Sequence, residues 1–470
     1  MIANSALGQA GGKKDINIAL LGAGAQGQVL MNAILKLGRN SGIKFRAVCD
    51  IWEKGNLRRV SRTLKAYGRL GHKGTAYVDY QEMLEKEKDL DAVLVATPDF
   101  WHAEHTIACF EKGLHVYCEK EMSNSLAAAK NMVLAGRKAG KLLQIGHQRR
   151  SNPRYIYCND KVIKEANLLN RITNISGQWH RSRAGCVDLG WPDGTEIPKE
   201  TLKKFGFDDM PQFRNWRWYK GLGGGPIVDL GSHQIDVYSW FLGNALPTSV
   251  MASGGVDYWK DHEWYDNAIA IFEFPTKKGL VRATYETLTT NSSNGYYELF
   301  MGDEGTLLIS ESAGRGELYR ESWVEEAKWD PWVQKGLINL EKASAKAEVK
   351  AGDDEVDVRE SATPALYRMP IEMKDPYHQP HLVNFFESVR GNQTLNCPGE
   401  IGYETSVMVL KVNEAIAASM KIDLKPKHFI VSSVFFHRYL FDYSCHPYFA
   451  SFGSFVRIIF PWPFAVISLF

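Results

Sequence analysis

The chain is short of the residues that staple or ligate. Its seven cysteines in 470 residues (Cys49, Cys109, Cys118, Cys158, Cys186, Cys397 and Cys445) form an odd, scattered set without a CxxC pair. That pattern excludes a disulfide framework and a cysteine-held structural zinc. HExxH is also missing, and no metal site is predicted. A surplus of one charge is lacking too: 56 Lys+Arg stand against 54 Asp+Glu, for a formal charge of +2. Without a basic surplus, nucleic acid and anionic lipid are not expected partners. No internal repeat is visible. The stretch from Met1 to Asp15 has no apolar core and no twin arginine, so it does not read as a secretory signal. A reducing cytoplasm is the expected compartment, with the periplasm as the alternative if the N-terminus is incomplete.

What is present is globular material, 44% apolar and 23% charged. The length exceeds what one core organises, which predicts two domains. The apolar run Ile16–Leu21 enters Gly22-Ala23-Gly24-Ala25-Gln26-Gly27, followed by a helical pattern through Leu37 and a second strand, Phe45–Cys49, closed by Asp50. Strand, glycine turn, helix, strand and acid make a βαβ unit. Helices are then predicted at Gln81–Lys88, Ala103–Lys112 and Leu126–Ala139, alternating with strands at Ala92–Ala96, Leu114–Cys118 and Leu142–Ile145. The fold class is α/β, with a doubly wound parallel Rossmann sheet over residues 1–150.

Beyond Arg150 the strand-like stretches Arg171–Trp179, Ala268–Phe274, Leu280–Thr287 and Tyr296–Met301 have no regular helix between them. They predict a large, mostly antiparallel open sheet in a second α/β domain over residues 151–430, closed by helices at Pro380–Arg390 and Glu404–Met420. Glu341–Glu360 is charged and Ala-rich and reads as a surface excursion. Residues 431–470 form an aromatic, apolar tail. Its candidate roles are a buried segment, a membrane or partner anchor, or sequence outside the functional product; the abrupt break in composition favours the last. Membrane contact is expected only through this tail, whose Arg457, Pro461 and Pro463 interrupt a span.

The glycine turn carries the first chemistry. Gly22 permits a tight turn, Gly24 lets a pyrophosphate approach the backbone, and Gly27 allows close helix–strand packing. The helix start at Ala25 and Gln26 offers free amides to phosphates. Asp50 is placed to accept ribose hydroxyls and to repel a 2′-phosphate, which favours NAD over NADP. Lys54, Arg58 and Arg59 could reverse that preference if one reached the site. Three polar clusters follow strand ends: Thr97-Pro98-Asp99-Phe100-Trp101-His102, Glu119-Lys120-Glu121 and Gly146-His147-Gln148-Arg149-Arg150. A solvated charge run is the ordinary alternative for Glu119–Glu121.

The densest cluster runs from Gly223 to Asp236. On a helix from Ile227, Asp229, His233 and Asp236 share one face, and an Asp one turn before a His can orient the imidazole as a general base. The ordinary alternative is a cap and a helix-face hydrogen bond. The stretches Gln178-Trp179-His180-Arg181 and Phe213–Tyr219, with Trp216 and Arg217, mix ring faces with donors, a mixture suited to a polyhydroxylated ligand. Ordinary half-buried strand residues are the alternative there.

Together, Gly22–Gly27, Ala96-Thr97-Pro98-Asp99, Cys118-Glu119-Lys120 and Gly223–Asp236 resemble the Gfo/Idh/MocA family over roughly residues 15–430. The resemblance implies a homo-oligomer that reversibly oxidises a sugar, glycoside or cyclitol hydroxyl with NAD or NADP. It maps the family's catalytic Lys, Asp and His onto Lys120, Asp229 and His233. It extends the expected cofactor set to Gly22, Gly24, Ala25, Gln26, Gly27, Asp50, Thr97, Pro98, His102, Glu119 and Lys120. The expected substrate set is His147, Arg149, Trp179, His180, Arg181, Trp216, Arg217, Asp229 and His233. The family pattern Glu-Lys-Pro is here Glu119-Lys120-Glu121, which removes a rigid residue beside the lysine and adds a carboxylate. The Trp-Arg-Trp and triple-glycine region looks most like glycoside-acting members from carbohydrate-degrading bacteria, where oxidation at sugar C3 can open an elimination route. The alternative reading is therefore an NAD-retaining glycosidase of the α-N-acetylgalactosaminidase kind, cycling through oxidation, elimination, hydration and reduction. A regulator that keeps the fold without catalysis is a third reading, disfavoured by the joint presence of Lys120, Asp229 and His233.

Overall fold

A computed structural model describes residues 14–182, 188–312, 314–344 and 361–431. Among them, six strands form a wholly parallel sheet: β1 (Ile16–Leu21), β2 (Ile43–Cys49), β3 (Thr75–Tyr77), β4 (Ala92–Val95), β5 (His115–Cys118) and β6 (Leu143–Ile145). Their order is β3-β2-β1-β4-β5-β6, so the direction of strand succession reverses beside β1. Ligands of such sheets lie in the crevice at the strands' carboxyl ends, where succession reverses. The strands can occupy the interior because both faces are apolar; all four residues of β4 are buried.

The second sheet has ten described strands: β7 (Ile172–His180), β8 (Ser249–Gly255), β9 (Asn267–Thr276), β10 (Gly279–Leu288), β11 (Tyr296–Gly302), β12 (Gly305–Ile309), β13 (Gly316–Arg320), β14 (Asn339–Lys342), β15 (Ala365–Arg368) and β16 (Ile422–Asp423). They run in the order β14-β15-β13-β12-β11-β7-β10-β9-β8-β16, antiparallel except between β7 and β10. One face is covered by the helices Gly225–Phe241 and Gly399–Ala418. The alternation along β9 turns Ile269 and Ile271 outward, where Met251 and Leu280 are exposed as well. A sheet with one covered and one open face matches the expectation from its alternating strands.

The chain's late helices do not stay with the second sheet. Leu382, Phe385 and Phe386 of the helix Gln379–Val389 are buried in one apolar cluster with Ile18, Leu20, Ala92 and Leu94 of the first. Gln379 donates from Nε2 to the carbonyl of Ala33 at 2.8 Å. Helix Gly399–Ala418 touches both β6 and β8. The interval between Asp188 and Leu222 also crosses over. Its Ile197, Leu202, Phe205, Phe207 and Met210 cluster with Trp52 from the first sheet's edge.

Several elements depart from the sequence reading: the helices read from Ala103 and Glu404 begin earlier, at Asp99 and Gly399. Glu341 and Lys342 begin the charged stretch as part of an exposed edge strand, formed by its ladder to β15 rather than by apolar alternation. The excursion's residues 345–360, and the tail beyond Val431, lie outside the described residues. The helix read from Ile227 begins two residues earlier, at Gly225.

Candidate active site

At the carboxyl ends of β1, β2, β4 and β5 the glycine turn, Asp50, Thr97, Pro98 and Glu119 line one cleft. Gly22 has φ +92°, and a Cβ there would meet the Ala96 carbonyl oxygen at 2.5 Å. A Cβ on Gly27 would stand 2.0 Å from the Gly22 oxygen, so only glycine lets the helix start against the turn. Gly24 behaves differently: its Cβ would meet nothing closer than Asn56 at 3.9 Å, which leaves open space over the backbone. The helix Ala25–Leu35 has no side-chain cap, and its first backbone bond is Gln28 N–H to Gly24 at 3.0 Å. The preceding amides are free to face an anion.

Asp50 is already engaged. Its carboxylate accepts from the Ala23 amide at 2.7 Å and the Trp52 amide at 2.8 Å. Burial pushes it up to about 6 against these donors. Lys54, Arg58 and Arg59 lie on a separate shallow surface and do not line this cleft. Aromatic residues from the crossing segment, Phe205, Phe207, Phe213 and Trp216, close the cleft's other side. Trp52 and Trp101 fasten that segment, donating from their indoles to the carbonyls of Thr195 at 2.6 Å and Phe205 at 3.0 Å.

A second cleft, about 430 Å³, adjoins the first, a size suited to a small ligand. Gln26, Glu119, Lys120 and Arg217 are among the residues that line both. Glu119 accepts from Gln26 Nε2 at 2.9 Å, tying the glycine turn to the end of β5. Lys120 donates to both the backbone oxygen and the carboxylate of Asp229, the latter at 3.0 Å. Arg217 Nε approaches the other carboxylate oxygen at 3.2 Å. Burial alone would raise Asp229, but the Lys120 and Arg217 cations outweigh it and hold the carboxyl well below its usual range.

His233 lies one turn further along the helix in the same cleft. Its ring has no hydrogen-bond partner among the described residues, and Nδ1 is sealed from solvent. Burial, aided by the charges of Lys120 and Arg149, pushes it well below the ordinary histidine value. A neutral imidazole beside an ammonium group can take a proton from a hydroxyl while the ammonium steadies the oxygen. Asp229 does not orient His233, contrary to expectation. Two cations compete for its oxygens, and charge-assisted bonds outweigh one to a neutral ring.

Glu121, which replaces the family's proline, does not pair with Lys120. Its buried carboxylate accepts from the Met122 amide at 2.7 Å and from the Ser406 hydroxyl. Burial pushes it up to about 7. Lys120 reaches Asp229 without the proline.

Several expected contacts are corrected. His102 does not face the cofactor cleft: the buried ring bridges the carbonyls of Thr97 at 2.6 Å and Glu121 at 2.8 Å, bracing two strand-end loops. His147 is buried behind His233, at a ring separation of 6.5 Å, and its neighbour Gln148 reaches the cleft instead. Arg149 is also behind the wall, paired with Glu298 and, at 3.0 Å, with Glu311. Alternation along β7 turns His180 away from the face shared by Trp179 and Arg181, and His180 contacts the Ser293 carbonyl at 3.0 Å. Trp216 lines the first cleft, not the second, and carries Arg217 stacked at 4.2 Å. Asp236 is buried against Arg150 and Thr405 rather than sharing the cleft face.

The structure adds residues the sequence reading missed, among them Asn56 and Tyr80 in the first cleft and Tyr296, Glu311, Tyr377 and His378 in the second. The aromatic run near Phe213 divides between the clefts: Phe213 and Trp216 line the first alone, Asn215 and Trp218 the second alone, and Arg217 both. Tyr377 and His378 had no motif to mark them.

Residues 16–147 match the model of an oxidoreductase family with an NAD-binding Rossmann fold, and residues 203–308 match a GFO/IDH/MocA C-terminal domain. D-glucoside 3-dehydrogenase of Escherichia coli strain K12 is 27% identical over 238 residues, covering 50% of this chain and 57% of that protein. Myo-inositol 2-dehydrogenase of Thermotoga maritima is 27% identical over 274 residues, covering 54% and 72%. The chain spans about half the length of the curated relatives it matches first. A levoglucosan dehydrogenase solved with NADH has the same fold, with a TM-score of 0.63 at 15% identity, covering 88% of this chain and 100% of that one.

Proposed function

From the premise that the chain belongs to the Gfo/Idh/MocA oxidoreductase family and carries its NAD-binding Rossmann domain, we propose that it oxidises a hydroxyl of a sugar, glycoside or cyclitol, at C3 in the sugar case. The observation that carries this reading is Lys120, which lines both clefts and pairs with Asp229 at 3.0 Å beside an unpartnered His233. The open space over Gly24 and the uncapped helix start fit a dinucleotide pyrophosphate, and Asp50 is the candidate ribose contact. Bound NAD would supply the hydride acceptor. His233 is the group that takes the hydroxyl proton. Lys120 holds the developing oxyanion, and Asp229 fixes Lys120 and Arg217 rather than the imidazole. Arg181 and the Trp179 face belong to the carbohydrate side.

The glycoside-3-oxidising reading draws support from a relative named D-glucoside 3-dehydrogenase. The redox-neutral glycosidase draws it from the segment roofing the first cleft, which favours a retained cofactor. A screen of glycosides and cyclitols for NADH formation, with product analysis, tests the proposal. Net NADH with an oxidised sugar supports it; free sugar released without net NADH replaces it with the glycosidase. The outward apolar residues of β8–β10 support self-association, and light scattering of the purified chain checks it. Among the described residues no helix is long and apolar enough to cross a membrane.

A further inference from the structure

Among the described residues, the cations around the second cleft are engaged with one exception. Lys120 and Arg217 share Asp229. Arg214 donates from Nε to the Gly190 carbonyl at 2.9 Å and stacks over Trp52. Arg149, behind the wall, is paired with Glu298 and Glu311. Arg181 lines the cleft, and among the described residues its guanidinium has no carboxylate and no carbonyl. It rests on the Trp179 ring at 5.0 Å. That indole is fixed in turn: it stacks on Tyr296 at 4.4 Å, and the paired Arg149 lies 5.7 Å from it.

A guanidinium laid on an aromatic face keeps its N–H edges in one plane, ready for a two-pronged anion. The cleft's carboxylates already have bonded partners, and Asp229 attracts Arg181 only through space. Asp229 is held by Lys120 and Arg217, Glu119 accepts from Gln26, and Glu311 is bound by Arg149 and Gln148. The Trp179 ring also lies 5.5 Å from that of His233. A hydroxyl at the imidazole and an anion at Arg181 can therefore belong to one sugar residue or to two that are joined.

We propose that this cleft selects carbohydrates bearing an anionic substituent, a carboxylate or a phosphate, with Arg181 as the residue that receives it. The inference rests on the sugar-oxidising reading for its scaffold, not for its charge. Titration of the NAD-loaded chain with methyl β-D-glucopyranoside, methyl β-D-glucopyranosiduronic acid and methyl β-D-glucopyranoside 6-phosphate is the test. At least one anionic sugar should bind about tenfold or more tightly than the neutral one, and the advantage should shrink with added salt. Which anion binds identifies its chemistry. Arg181→Gln should bring the anionic-to-neutral ratio near one, and Arg181→Lys should retain part of it. Because the readout is a ratio, general damage to the cleft would lower all three affinities and leave the ratio standing. Equal or better binding of the neutral sugar, no binding of any of the three, or a ratio that survives Arg181→Gln overturns the proposal. Selective binding without NADH formation supports the anion site and counts instead against the dehydrogenase reading.

Discussion

Around the glycine turn one wall of the cleft is set by the course of the backbone. Gly22, Gly24 and Gln26 come from one short stretch, and Thr97 and Glu119 follow the ends of neighbouring parallel strands. Around Trp179 it is made of side chains from distant segments: β7, β11, the helix Gly225–Phe241 and the loop with Tyr377 and His378. The first surface is fixed by where the chain can bend. The second is fixed by which charge pairs with which, as Asp229 between Lys120 and Arg217 illustrates. Substitutions in the first region should therefore act on whether a dinucleotide is held, and those in the second on turnover and sugar choice.

The strongest way to break that division is at His233. His233→Ala should lower turnover by about 10²–10⁴-fold with NAD affinity nearly intact. Lys120→Ala should impair turnover comparably and also weaken NAD, because Lys120 lines both clefts. Stopped-flow measurement of the hydride step beside an NAD titration reads both; a normal rate in folded His233→Ala removes that residue from the chemistry.

Two glycines sharpen the backbone side. Gly27→Ala places a methyl 2.0 Å from the Gly22 oxygen, and a loss of roughly 2–4 kcal/mol in stability together with NAD binding is expected. Gly24→Ala meets nothing nearer than 3.9 Å, so melting should stay close to the parent while NAD binding weakens. Equal melting curves for the two variants would refute the distinction between turn packing and ligand approach.

Cofactor choice is a smaller effect. Asp50→Ser should raise the NADP-to-NAD ratio of kcat/KM by roughly tenfold, through relief of repulsion, with some loss of NAD affinity because the Ala23 amide loses its acceptor. Better use of NADP by the unmodified chain would remove Asp50 from that role.

The smallest expected change is in pH dependence. Burial raises Glu121 to about 7, so between its unfolded value and about pH 7 the native state binds a proton that the unfolded state has released. Its contribution to stability is therefore present at low pH and lost as pH rises through about 7. Glu121→Gln should flatten the fall in melting temperature between pH 5 and 8 by a few degrees. An identical profile in the variant would show that Glu298 and Glu404, also raised to about 7 by burial, carry the dependence.

Legibility in sequence followed the same division. Ile16–Leu21 and Leu126–Ala139 have the boundaries their apolar patterns predict, because a buried parallel strand and a helix each write their burial into consecutive residues. Thr75–Tyr77 did not register: three residues without a fully buried side chain have no pattern. β8, Ser-Val-Met-Ala-Ser-Gly-Gly, hides its strand in small residues. At the site, spacing placed Asp229 and His233 on one helix but misassigned their coupling, since the competing cations come from residues 120 and 217. The runs around His147 and Trp179 contained the right neighbours and the wrong members. Strand alternation separates Trp179 and Arg181 from His180, and burial puts His147 behind Gln148.

The roof held by the Trp52 and Trp101 indoles bears on the order in which molecules come and go. A dinucleotide bound beneath Phe205 and Phe207 would exchange only if those two hydrogen bonds and the apolar cluster around them gave way. If that opening is slower than chemistry, both half-reactions run on one dinucleotide molecule, and a second sugar must arrive before the first cycle closes. Initial-rate plots against two sugars would then be parallel, the pattern of a ping-pong enzyme. If opening is fast, NADH leaves as a product, the second sugar is no longer a co-substrate, and converging lines appear against sugar and NAD instead. On the proposed function, the bond between Trp52 and Thr195 is therefore the place to test whether the cofactor is shared or retained.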